Sequence, residues 1–166
     1  VGTITIAVNG VTVATKTVTF YGSVASYVVS TKNAVLSVGS SADTQVLTVQ
    51  ALDANGVAVP SATVHVSSGT TTVATVDSAT VTTSAAGAAA DIGINGVAKG
   101  SAVITVGNAA TSPTVSATAT ISVVAAGIAS VALSFDKAEY NPGEKATITI
   151  TAKNADGALV GDEAYA

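Results

Sequence analysis

Polar and apolar residues alternate with a period of two along nearly the whole chain. Thr3-Ile4-Thr5-Ile6-Ala7-Val8, Val11-Thr12-Val13 and Thr17-Val18-Thr19-Phe20 set the pattern. Successive side chains of a strand point to opposite faces, so each such run has one face for a core and one for its surroundings. The β-branched content suits a pleated, half-buried surface. Asn9-Gly10, Asn55-Gly56, Asn95-Gly96 and Asp156-Gly157 predict tight turns, because Asn, Asp and Gly tolerate the positive φ that hairpins demand. Ala85 to Ala90 is Ala-rich but contains Gly87 and sits between strand patterns, so it reads as a turn entering a strand. Short strands separated by turns at about 8–12-residue spacing predict an all-β, antiparallel β-sandwich.

The strands repeat. Val46-Leu-Thr-Val-Gln-Ala-Leu-Asp53-Ala-Asn-Gly56-Val-Ala-Val59 aligns with Thr147-Ile-Thr-Ile-Thr-Ala-Lys-Asn154-Ala-Asp-Gly157-Ala-Leu-Val160, 101 positions on. Ala25-Ser26 matches Ala129-Ser130 at an offset of 104, and the run from Gly2 matches the run from Gly100. A period of about 100 residues is the size of an immunoglobulin-type domain. Residues 1–23 are therefore expected to be the last strands of one module, 24–127 a complete module, and 128–166 the opening strands of a third. Neither end piece is expected to bury its own apolar face, since two-stranded units are marginal in water. Two completions are open: a longer chain in cis, or strand addition from neighbouring chains.

Composition narrows the function. Of 166 residues 48% are hydrophobic but only 4% aromatic, with no Trp or Met, so Val, Ala, Ile and Leu must build the core. Charged residues are 10%, against about 25% in ordinary soluble domains. Ser and Thr replace them, which suits a surface that is glycosylated or packed against neighbours better than a free monomer. The net charge of −4 and six scattered lysines without arginine argue against nucleic acid. No cysteine means no disulfide framework or thiolate metal site. The longest apolar run, Ile121 to Phe135, falls short of the roughly 20 residues a spanning helix needs. It reads as two strands meeting at Gly127, without membrane insertion.

Several stretches carry a family resemblance. Val49-Gln-Ala-Leu-Asp53-Ala-Asn-Gly56-Val-Ala-Val59-Pro60, Ala62-Thr-Val-His-Val66, Thr83-Ser-Ala-Ala-Gly87-Ala-Ala-Ala-Asp-Ile92 and Lys99-Gly100-Ser-Ala-Val-Ile-Thr-Val106 follow one another in the order of a known repeat. This middle region resembles the bacterial immunoglobulin-like domains of the invasin/intimin type, which also occur in S-layer proteins and adhesins. Ser61 departs from the family, which often has Gly there, and the Val-Pro order is swapped. The resemblance implies tandem immunoglobulin-like sandwiches in an extracellular bacterial surface or secreted protein.

Chemistry is sparse. His65 is the single histidine, and no spacing signals the acid or nucleophile that general-base work needs. It reads as an outward strand residue or an interface contact, and no catalytic residue is assigned. Asp53-Ala-Asn55-Gly56 starts like a calcium loop but continues Val57-Ala58-Val59, without further oxygen ligands, so it reads as a turn. Asp136 and Glu139, near the second boundary, are the candidate calcium ligands, with Asp43 and Asp77 as unplaced contributors; otherwise no cofactor is expected. Phe20, Tyr21 and Tyr27 cluster at the first boundary. Of Phe20 and Tyr21, which alternate on a strand, one is expected in a core and the other between modules, or both simply at a strand end.

The short links Gly22-Ser23-Val24 and Ala125-Ala126-Gly127 favour a stiff rod. Ser/Thr-rich edges with few charges favour lateral docking. The leading expectation is a structural repeat region of an S-layer, sheath or filament, acting by homo-oligomeric self-association and not as an enzyme. The alternative is an adhesin stalk whose binding site lies in another part of the full chain, where cell-wall or glycan attachment would also reside.

Overall fold

The computed structural model describes residues 1–40 and 43–160, and every regular element in them is a β-strand. In chain order these are β1 (Gly2–Val8), β2 (Val11–Val18), β3 (Ser26–Thr31), β4 (Val35–Ser37), β5 (Asp43–Leu52), β6 (Thr63–Ser68) and β7 (Ala74–Val76). They continue as β8 (Thr80–Thr82), β9 (Ala90–Gly96), β10 (Gly100–Gly107), β11 (Ser116–Val124), β12 (Ser130–Phe135) and β13 (Ile148–Lys153). Among the described residues they form four sheets: β1-β2, β3-β5-β9-β7, β4-β11-β10-β6-β8 and β12-β13.

The two larger sheets share one core. Alternation sends Val64 and Val66 of β6, Ile92 and Ile94 of β9, Ala102, Ile104 and Val106 of β10, and Ile121 and Val123 of β11 inward. On β5 both Val46 and Leu47 are buried; a register shift between Asp43 and Leu47 against β9 breaks the strict period there. Each fully buried Val, Leu or Ile contributes about 1.5–3 kcal/mol. The chain changes sheet between β3 and β4: β3 runs antiparallel to β5, whereas β4 runs parallel to β11.

The outer hairpins carry no second sheet among the described residues. In β1-β2, Ile4, Ile6, Val8, Val11 and Val13 are exposed. In β12-β13 the register sets Leu133 opposite Ile150 and Phe135 opposite Ile148, and all four are exposed. Among the described residues no helix is long and apolar enough to cross a membrane, which says nothing of a β-barrel.

Turn expectations mostly hold. Asn9 and Gly10 both take positive φ (50° and 80°) between β1 and β2. Gly56 and Gly157 take φ of 75° and 78°. Residues 85–86 form a turn and Gly87 has φ of 76° before β9 begins at Ala90. Asn95-Gly96 is a correction. Both residues lie inside β9, paired with Thr75 and Ala74 of β7, and the reversal comes after them, before Gly100. Gly96 is required by proximity instead, as the backbone of Ser37 crosses directly over it.

The two turn segments 101 residues apart share their backbone hydrogen bonds. Asp53 N–H donates to Val57 C=O, Gly56 N–H to Asp53 C=O and Val59 N–H to Ala51 C=O. Asn154 N–H donates to Ala158, Gly157 N–H to Asn154 and Val160 N–H to Ala152 in the same way. Ala25 N–H meets Leu52 C=O, and Ala129 N–H meets Lys153 C=O.

Candidate functional site at the two junctions

The side chains expected to carry chemistry are dispersed. His65 lies on the outer face of β6, half-buried, with Gly107 and Thr80 as its cross-strand partners; Val64 and Val66 beside it point into the core. Among the described residues no three His, Cys, Asp or Glu side chains gather closely enough to hold a metal ion. Asp136 is engaged within its own loop: Tyr140 Oη–H and the Thr147 N–H (2.9 Å) both donate to Oδ1. Those bonds, Tyr140 first, hold its carboxyl below the ordinary range. Lys137 pairs with Glu144, whose Oε2 also accepts from the Asn141 N–H. Glu139 is exposed beside this network. Asp77 accepts from the Asn95 side chain, and the Asp43 side chain lies outside the described residues.

The aromatic cluster is split three ways. Tyr27, the first inward residue of β3, is buried in the shared core and not between units. β2 ends at Val18, so the strand alternation does not reach Phe20 and Tyr21, and neither enters a core. Phe20, 71% exposed, lies against Gly2 of its own hairpin. Tyr21, 53% exposed, lines a shallow recess with Val57, Ala58, Pro60 and Ala85, where the linker meets the β5–β6 loop. A second, more apolar recess lies at the other junction, lined by Val38, Val97, Lys99 and Ala125 among others.

The buried side chains that bond across the junctions are ones that sequence spacing labelled as mere turn formers. Asp53, only 4% exposed, ends the β5 strand. Its Oδ1 accepts from the N–H groups of Asn55 (2.8 Å) and Val57 (2.9 Å), and its Oδ2 accepts from the N–H of Gly22 (2.9 Å), in the linker before β3. The Gly22 bond, then that of Val57, lead the causes that hold the carboxyl below its ordinary range; partial desolvation opposes them. Asn154, 3% exposed, repeats the arrangement. Its Oδ1 accepts from the N–H groups of Asp156 and Ala158 (both 3.0 Å), and its Nδ2 donates to the carbonyl of Ala125 (3.2 Å), in the linker before β12. Lys99 adds an exposed ion pair to Asp156 (2.8 Å) across the second junction. The alignment of Asp53 with Asn154 was the available signal. Strand pattern alone does not say that either reaches back 31 or 29 residues to a linker.

No protein-family model matches the chain, and no curated protein matches it. Among solved structures the fold is similar to that of the surface layer protein SbsC, domains 1–6, with a TM-score of 0.51 and 23% identity. That alignment covers 93% of this chain and 19% of the SbsC chain, so the chain spans about a fifth of its neighbour's length.

Proposed function

We propose that this chain is a tandem run of immunoglobulin-like sandwich units from an extracellular, self-assembling bacterial surface protein of the surface-layer, sheath or filament kind. In this reading it acts mechanically, without an active site or cofactor. Residues 24–127 are one whole unit, 1–23 belong to the preceding unit and 128–166 to the following one; residues 161–166 of the last lie outside the described residues.

The observation that carries the reading is the duplicated set of hydrogen bonds around Asp53 and Asn154. A polypeptide that repeats its turn at a spacing of 101 residues, and its linker contact at 104, is built as a series of like units. Likeness to a surface-layer protein supports the location and the structural role. The low charge leaves Ser/Thr-rich surfaces that suit association between copies.

Electron microscopy of the protein on its native surface, together with light scattering of the purified chain over a concentration series, tests the proposal. Regular lateral or end-to-end contacts between copies are expected. A strictly monomeric protein without neighbours of its own kind in the native specimen overturns assembly and leaves the adhesin-stalk reading, which the short, hydrogen-bonded junctions also suit.

A further inference from the structure

The two junctions differ in one informative respect. Ala25 and Ala129 occupy equivalent places, each donating its N–H to the last residue of the adjoining strand. Counting back from them, the peptide joining Tyr21 to Gly22 is equivalent to the peptide joining Ala125 to Ala126, both at an offset of 104. The same peptide group is therefore gripped at both junctions, but by opposite edges. At the first, its N–H points to residue 53; at the second, its C=O points to residue 154. The gripping side chain changes accordingly. Asp, which only accepts, faces the N–H, and Asn, which donates through Nδ2, faces the C=O. In both, Oδ1 does the identical job of holding two N–H groups of its own turn.

We propose that position 53 and its repeat, position 154, are the clamps that lock each unit to the linker entering it, and that Asp or Asn at the clamp selects which edge of the linker peptide turns inward. Oδ1 preorganises the turn, and the second side-chain atom reads the linker. A peptide turned the other way would set an N–H against the Asn154 Nδ2, or a C=O against the Asp53 carboxylate. Either would set two like groups against each other, without a partner, at a part-buried contact. The path of the chain between units is then set by one side chain per junction.

The clamp also gives the junctions different responses to acid. The elements around Asp53 are the linker, β3 and its own turn. Their titratable groups are Tyr21 and Tyr27, with no carboxylate, Lys or His among them, so the bond to Gly22 answers to the protonation of Asp53 itself. At the other junction the clamp residue Asn154 does not titrate, and the carboxylate there is that of Asp156, in its exposed pair with Lys99.

Isosteric exchange separates the clamp from the turn, because Asp53→Asn and Asn154→Asp each keep Oδ1 and change only the atom facing the linker. The intact 166-residue chain is used throughout. It has no cysteine, so pairs introduced at exposed Thr15 and Thr80, or Thr120 and Thr149, carry spin labels across one junction at a time. Asp53→Asn is expected to shift or broaden the distance across the first junction and leave the second unchanged. In the same variant the Gly22 amide loses protection from exchange roughly tenfold or more, while those of Asn55 and Val57 keep theirs. Asn154→Asp should disturb only the second junction at neutral pH. Acid should restore that junction, since a protonated carboxyl donates to the Ala125 carbonyl.

If Asp53→Asn does not fold, the unmodified chain decides the matter: the Gly22 amide proton resonance must titrate with Asp53 in acid. The proposal is overturned if Gly22 protection is indifferent to Asp53→Asn, if its resonance ignores the titration, or if each variant disturbs both junctions alike. These readouts concern single chains. They compare each variant with the unmodified chain at its own junction, with labelled chain diluted in unlabelled chain, so failure of the clamp and failure of the assembly reading are told apart.

Discussion

Gly96 lies so close under Ser37 that a Cβ on the glycine would stand 2.3 Å from the Ser37 carbonyl oxygen. The backbone of β9 thus passes within contact of the turn after β4, where the Gly39 N–H donates to the Gly96 carbonyl at 2.8 Å. Gly96→Ala must push these segments apart and is expected to cost about 3 kcal/mol. Gly56→Ala is the comparison. Nothing stands within 4 Å of a Cβ there, but φ is +75°, so the penalty is backbone strain alone, about 1 kcal/mol. Urea unfolding monitored by circular dichroism ranks the two; equal losses would mean that the close approach has no energetic weight.

Thr83 joins two segments through one hydroxyl, which donates to the Val59 carbonyl and accepts from the Ala62 N–H, each at 2.9 Å. It is buried, so water does not replace the bonds. Thr83→Val keeps the shape and leaves two backbone groups unpaired, with an expected loss of about 2 kcal/mol. Thr83→Ser retains the hydroxyl and should recover most of that loss. A midpoint for Thr83→Val equal to that of the unmodified chain would show that the hydroxyl is dispensable.

The phenol oxygen of Tyr27 is buried without a hydrogen-bond partner among the described residues. Tyr27→Phe is therefore expected to leave stability unchanged or raise it by up to about 1 kcal/mol. Burial also pushes the Tyr27 pKa up. The unfolded chain ionises first, so this linkage stabilises fully below the ordinary phenol pKa and is lost as pH rises through the folded value. Tyr27→Phe should accordingly flatten the alkaline decline in melting temperature, and an unchanged slope would count against the burial of this oxygen.

Asp136, whose folded carboxyl lies below its ordinary range, contributes stability above that range that disappears as pH falls through the lower folded value. Tyr140 is the first cause. Tyr140→Phe should raise the Asp136 titration toward the ordinary range in a side-chain NMR titration and make the 136–147 loop less acid-sensitive. Titration at an unaltered pH would remove Tyr140 from the account.

Lys99 and Asp156 form an exposed pair across the second junction. Lys99→Ala is expected to change stability by no more than about 0.5 kcal/mol, because both groups are well solvated and the pair is screened by salt. A loss of several kcal/mol on denaturation would make the ion pair, rather than Asn154, the main tie at that junction.

Much of the architecture was legible before any coordinates. Val64-His65-Val66 announces its inward and outward positions because a strand has a fixed period. The Asp53 and Asn154 turns declare themselves as counterparts because turn chemistry is local: a residue that tolerates positive φ and one that binds its own backbone must occur within a few positions of each other. Even the scarcity of aromatic residues anticipated a core of Val, Ile, Leu and Ala. The aromatic cluster at the first boundary was legible only as a cluster. Where Phe20, Tyr21 and Tyr27 point depends on β2 ending at Val18, and nothing in the alternation marks that end.

Periodicity, turn residues and the repeat, all short-range properties, thus determined by themselves an all-β chain with a spacing of about 100 residues. Tertiary structure decided what each punctuating residue does. Asn95-Gly96 and Asn55-Gly56 are the same dipeptide, yet one is a strand under a crossing backbone and the other is a turn. Asp53 and Asn154 are both turn residues, yet each also holds a linker peptide about thirty residues away. Such roles depend on which backbone group, N–H or C=O, a distant segment presents, and only packing of the whole chain brings that group within hydrogen-bond distance.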